Sequence, residues 1–149
     1  MLAYRLPREP STPRSALWRK LRRLGAAQLL DGLVALPLDA RNREQLEWLA
    51  DEVLQADGEA TVWLAKPAAM ADHRALEQRL RAAIAEEYRE LITRAQEAAS
   101  GSDGRRRALT KLRREQQRIR RRDYSPPPER EAAQQAINDL AAAVEPVAS

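Results

Sequence analysis

Ten cationic side chains lie between residues 105 and 123: Arg105, Arg106, Arg107, Lys111, Arg113, Arg114, Arg118, Arg120, Arg121 and Arg122. Only Glu115 and Asp123 oppose them, so the segment carries +8 in a chain whose total is +4. Like charges on neighbouring helical turns repel and weaken the helix that carries them, which points to an anionic partner that offsets the repulsion. The chemistry on offer is phosphate binding, because a guanidinium is planar, donates paired hydrogen bonds and stays charged at every physiological pH. The partner this implies is a polyanion, nucleic acid in the first place and less often an anionic membrane surface or a small oxyanion. The competing reading is a solvated, salt-bridged face, for which Glu86, Glu87, Glu90 and Glu97 of the preceding segment are available.

A second cluster, Arg5, Arg8, Arg14, Arg19, Lys20, Arg22 and Arg23, faces Glu9 alone. With both clusters set aside the remainder of the chain carries −10, so charge is strongly segregated. Trp18, Trp48 and Trp63 have faces on which bases could stack, but each lies beside an apolar stripe or within a strand, which favours core or interface.

Other chemistry is thinly represented. There is no cysteine, hence no disulfide framework and no thiolate metal site. The single His73 reads as a surface helix residue, and Asp72-His73 lacks a nucleophile. No Gly-x-Ser-x-Gly, P-loop or paired metal-ligand spacing occurs, so the expectation is a protein that is not an enzyme, with no cofactor and no metal. No apolar run approaches the roughly eighteen residues of a spanning helix, and the first ten residues do not read as a secretory signal. A cytoplasmic protein without membrane contact is expected.

The elements that must position these residues follow from periodicity and punctuation. Residues 2–6 read as a strand stopped by Pro7 and Pro10. Ser11, Thr12 and Pro13 open a helix with Leu17, Leu21 and Leu24 on one face, closed by Gly25. Residues 26–30 and 33–38 read as strands around Asp31-Gly32, a pair that tolerates the positive φ of a tight hairpin. Asp39 caps a helix over 40–56 with Leu46, Leu49, Ala50, Val53 and Leu54 aligned, ended by Asp57-Gly58, and 59–65 supply a fourth strand. Strand, helix, strand, strand, helix, strand is the split βαβ order of the ferredoxin-like fold, so the expectation is an α+β ferredoxin-like domain over 1–67. A helical extension over 68–149 follows. It has a long helix over 70–99, a Ser-Gly-Asp break, the basic helix over 105–123 with Leu109, Leu112, Gln116 and Ile119 on a narrow stripe, a proline stop, and a last amphipathic turn or two around Ala133, Ala136, Ile137 and Leu140 before a frayed tail.

Several stretches carry a family likeness. Tyr4-Arg5-Leu6-Pro7-Arg8-Glu9-Pro10-Ser11, Leu17-Trp18-Arg19, Leu24-Gly25-Ala26, Asp31-Gly32, Leu36-Pro37, Trp48-Leu49-Ala50 and Arg120-Arg121-Arg122-Asp123-Tyr124 resemble the N-terminal domain of the ChrB family of chromate-resistance regulators. The resemblance implies a DNA-binding domain of a chromate-responsive transcription regulator; with the charge segregation it makes the expected partner double-stranded DNA, its phosphates anchored along the basic helix and a few arginines reading guanine in the major groove. It also implies a second, chromate-sensing domain with no counterpart in this chain, which is then either the first part of a longer protein or a short relative. The strand order further resembles Cas2 nucleases and the central domain of PaaX-type repressors. The Cas2 pattern ends its first strand in an aspartate for a metal ion, whereas Arg5 stands here, and a cation repels Mg²⁺. A divalent-metal nuclease is therefore the weakest reading. A protein-interaction module stands ahead of it, in which the basic helix packs on an acidic surface of a sister subunit to give a homodimer suited to a palindromic operator.

Overall fold

The computed structural model describes residues 1–144, and the expected frayed tail falls almost wholly outside the described residues. The chain is a mixed α+β protein that divides into two compact units, Met1–Leu80 and Arg81–Ser149. The boundary between the units falls within a helix, Met70–Ser100.

In the first unit the order is β1 (Leu2–Arg5), α1 (Thr12–Leu24), β2 (Ala27–Leu30), β3 (Leu33–Ala35), α2 (Ala40–Gln55) and β4 (Glu59–Val62). The four strands form one antiparallel sheet in the order β2-β3-β1-β4. Leu2 lies opposite both Val34 and Val62, so the pleat sets these three on one face. Leu17 and Leu21 of α1 and Leu46, Leu49, Ala50 and Val53 of α2 join Leu2, Leu6 and Val34 in a buried cluster. Each large side chain taken out of water there contributes roughly 1.5–3 kcal/mol before entropy.

Local chemistry sets the boundaries, not always as the sequence suggests. Asp39 caps α2 as expected: its backbone is extended and its Oδ1 accepts from the Asn42 N–H at 2.7 Å. Ser11 caps nothing, because it is already in the helical region (φ −79°, ψ −17°) and cannot aim its hydroxyl at the first turn. In the Asp31-Gly32 turn, positive φ falls on Gly32 alone (77°). A Cβ on Gly32 would sit 2.4 Å from the Tyr4 carbonyl oxygen, so this turn can lie against β1 only with glycine. At Asp57-Gly58 the left-handed residue is Asp57 (φ 63°). Gly58 is needed for proximity instead, since a Cβ there would come within 2.4 Å of the Arg5 carbonyl oxygen.

β3 stops at Ala35, short of the expected residue 38, before Pro37, which has no N–H to donate to a ladder. β4 stops at Val62, although the Trp63 N–H still donates to the Met1 carbonyl at 2.7 Å. The tryptophans are a correction to the core half of that expectation: Trp18, Trp48 and Trp63 are 43%, 58% and 55% exposed, and none joins the core. Trp18 and Trp48 each stand one position off a leucine stripe, which on a helix is a rotation of about 100° away from the core.

α3 (Met70–Ser100) passes from the first unit into the second. His73 is exposed on it, as expected. The second unit continues with α4 (Arg105–Arg121) and α5 (Glu129–Val144). Ile84, Tyr88, Leu91 and Ala95 of α3 meet Leu109, Leu112 and Ile119 of α4 and Ala133, Ala136, Ile137 and Leu140 of α5 in one buried cluster. α5 is a full helix rather than the expected turn or two, because its alanines favour helix and Glu129 and Glu131 complement the dipole of its first turn. No helix among the described residues is long and apolar enough to cross a membrane.

Candidate nucleic-acid interface

α4 is amphipathic in an unusual sense: one face is apolar and the other cationic. Leu109, Leu112, Gln116 and Ile119 are buried. Gln116 is accommodated because its Nε2 donates to Gln134 Oε1 of α5 at 2.9 Å, which also fixes how the two helices align. On the opposite side, at three- and four-residue spacing, stand Arg107, Lys111, Arg114, Arg118 and Arg121, all exposed. At 1.5 Å per residue this row extends for about 21 Å. Arg106 and Arg113 flank it and are also exposed. Among the described residues none of these seven makes an ion pair. The helix dipole favours Arg118 and Arg121 near the C-terminus, whereas Arg106 and Arg107 sit in a first turn that has no acid.

Of the other three cations of the segment, two are engaged within the bundle. Arg122 Nη1 and Nη2 donate to the two carboxylate oxygens of Glu87 at 2.7 and 2.5 Å, with the Arg122 side chain only 16% exposed. Arg105 Nη1 donates to the Ala143 carbonyl at 3.3 Å. Arg120 is half-buried, and among the described residues its Nε has no hydrogen-bond partner. The available acids thus answer only part of the charge: Glu87 takes Arg122, Glu115 is held by Arg94 of α3, and Glu86 pairs with Arg89.

Just beyond α4, Tyr88 Oη donates to Asp123 Oδ2 at 2.8 Å, and Arg130 Nη1 lies 3.7 Å from the same oxygen. The Asp123 side chain is 1% exposed. Burial, reinforced by the hydrogen bond and charge of Asp123, holds the Tyr88 phenol above its ordinary range. This network ties the end of α4 to α3 and α5. Sequence reasoning missed it, since partners 35 residues apart leave no local signal.

The second cationic cluster belongs to the first unit. Arg5, Arg8, Arg14, Arg19, Arg22 and Arg23 are all exposed, and among the described residues Lys20 alone of the cluster is neutralised, by Glu52 of α2 at 2.7 Å. Among the described residues no three His, Asp or Glu side chains converge as a metal site would require.

A family comparison matches residues 14–101, more than half of the chain, to the description "Protein ChrB, N-terminal". The chain belongs to the ChrB family. That membership sets it in the context of chromate resistance. The matched residues run from α1 through α3, so α4 and the Arg5 end of β1 lie outside them. No curated protein and no solved structure matches the chain. The likeness to Cas2 and PaaX-type domains is not shown by these comparisons.

Proposed function

We propose that this ChrB-family chain is a non-catalytic, cytoplasmic DNA-binding part of a chromate-resistance transcription regulator, and that the outer face of α4 is its phosphate-binding surface. The observation that carries this reading is the row of Arg107, Lys111, Arg114, Arg118 and Arg121, exposed and without ion pairs among the described residues while the opposite face of the helix is packed. A straight row of charges complements a polyanion, whose phosphates are also regularly spaced, better than it does a small ion. Arg105 and Arg122 act by holding the helix in place. We read the first unit as ferredoxin-like, a reading supported by its βαββαβ element order and the β2-β3-β1-β4 sheet. The test is titration of duplex DNA from the operator region of the protein's own operon at several salt concentrations. If about six cations meet phosphate, affinity falls roughly a thousandfold between about 50 and 200 mM salt. Salt-independent binding, or none, would sink the proposal.

A further inference from the structure

A cleft of about 770 Å³ opens on the first unit where α1 meets β1 and the β2–β3 turn. Tyr4 and Arg5 line it from β1, Arg14 and Trp18 from α1, and Gln28 and Asp31 from the hairpin. Gly32 brings the turn onto β1 to form one wall, its carbonyl accepting from the Tyr4 N–H at 2.7 Å. Arg14 and Trp18 are four residues apart and so stand on the same side of α1.

Three features indicate a ligand rather than a crease. Neither Arg5 nor Arg14 is ion-paired among the described residues, so two guanidinium groups are available at the cleft. The Trp18 indole is left 43% exposed beside them. The Tyr4 phenol, raised by burial that Arg14 opposes and Asp31 assists, adds a protonated hydroxyl to the same cleft. A bare tetrahedral oxyanion is a poor fit, because it gives the indole nothing to stack on, is repelled by Asp31, and leaves most of the volume empty. Clefts of roughly 300–1,000 Å³ suit ligands of many atoms. A phosphate meets the forked guanidinium groups, an aromatic base meets Trp18, and the Asp31 and Gln28 side chains suit sugar hydroxyls and exocyclic groups.

We propose that this cleft binds a nucleotide unit, with Arg5 and Arg14 on the phosphate and Trp18 against the base. The unit comes from a free mononucleotide or from a single-stranded nucleic acid, and the chemistry is the same in both. The cleft is built from residues of the first unit and the α4 row belongs to the second, so the two proposals are tested independently.

The experiment uses the full chain carrying W48F and W63F, both exposed positions, so that Trp18 is the sole tryptophan. It is titrated with nucleoside monophosphates of all bases, the matching nucleosides, sulfate, and a short single-stranded oligonucleotide. Quenching of Trp18 by a monophosphate identifies a free nucleotide as ligand, and quenching by the oligonucleotide alone identifies nucleic acid. In either case the nucleoside and sulfate bind at least about tenfold more weakly, and R14A, a change at an exposed residue, weakens binding about tenfold. W18A, followed by equilibrium dialysis, weakens it by a similar factor. The same chain with R107A, R114A, R118A and R121A retains the quenching. The proposal is overturned if no nucleotide or oligonucleotide binds, if sulfate binds as tightly as they do, if R14A binds like the parent, or if the α4 substitutions abolish the quenching.

Discussion

The outer face of α4 and the cleft beside α1 draw on the same residue type and present it in opposite shapes. On α4 the cations repeat every three or four residues and form a convex row with no aromatic side chain and no acid among them. In the first unit Arg5 and Arg14 come from different elements and face a concavity that also holds Trp18, Tyr4 and Asp31. A row of like charges attracts a polymer through the release of its counterions and discriminates little. A concave site with mixed donors, acceptors and a ring selects one compact molecule. Arginine content alone therefore does not define a binding mode; the geometry of the supporting backbone does.

The sharpest way to break this comparison is to remove the row. R107A, R114A, R118A and R121A together should lower duplex DNA affinity by roughly a hundred- to a thousandfold at low salt, and reduce the salt slope by about four. R14A should leave that slope nearly unchanged; an equal loss from R14A would mean that the cleft serves the duplex as well.

Next in size is the support beneath the row. Leu112 is buried against α5, and L112A should cost the second unit about 2–5 kcal/mol in denaturant unfolding. The nucleotide-dependent quenching of Trp18 should survive wherever the first unit remains folded.

Y88F removes the donor to a buried carboxylate and should destabilise the second unit by about 1–3 kcal/mol. It should also change the alkaline limb. The folded Tyr88 pKa is raised, so its contribution is complete below the unfolded phenol value of about 10 and is lost as pH rises through the folded value. The parent should lose stability above about pH 10 more steeply than Y88F, as read by pH-dependent unfolding. Smallest is E52A, which frees Lys20. That ion pair is largely solvent-exposed, so stability should change by no more than about 0.5 kcal/mol.

Much of this molecule was legible before its structure. The Asp39 cap, the Gly25 helix end, Leu46 and Leu49 of α2 and the 70–99 periodicity are local signals, and each appears where expected, whereas Leu54, expected on the same stripe, is 53% exposed. The misreadings share one cause. Trp18, Trp48 and Trp63 are apolar, but burial depends on which neighbours cover a face, and periodicity reports only which side of its own helix a residue occupies. Likewise Asp57-Gly58 reads as a turn from composition, while the reason for Gly58 is the Arg5 carbonyl on another strand.

For the candidate site the division is similar. The sequence by itself determined the concentration of charge at 105–123, the apolar stripe beneath it and the family likeness, because these depend on residue type and spacing along one segment. Only tertiary structure decided which arginines are available. Glu87 and Ala143, remote in sequence, take up Arg122 and Arg105, and the fold of β1 against the hairpin turns Arg5, Arg14 and Trp18 from scattered surface residues into one cleft. Charge is fixed by the side chain, but its availability is fixed by what lies within hydrogen-bonding distance, and folding alone sets that distance.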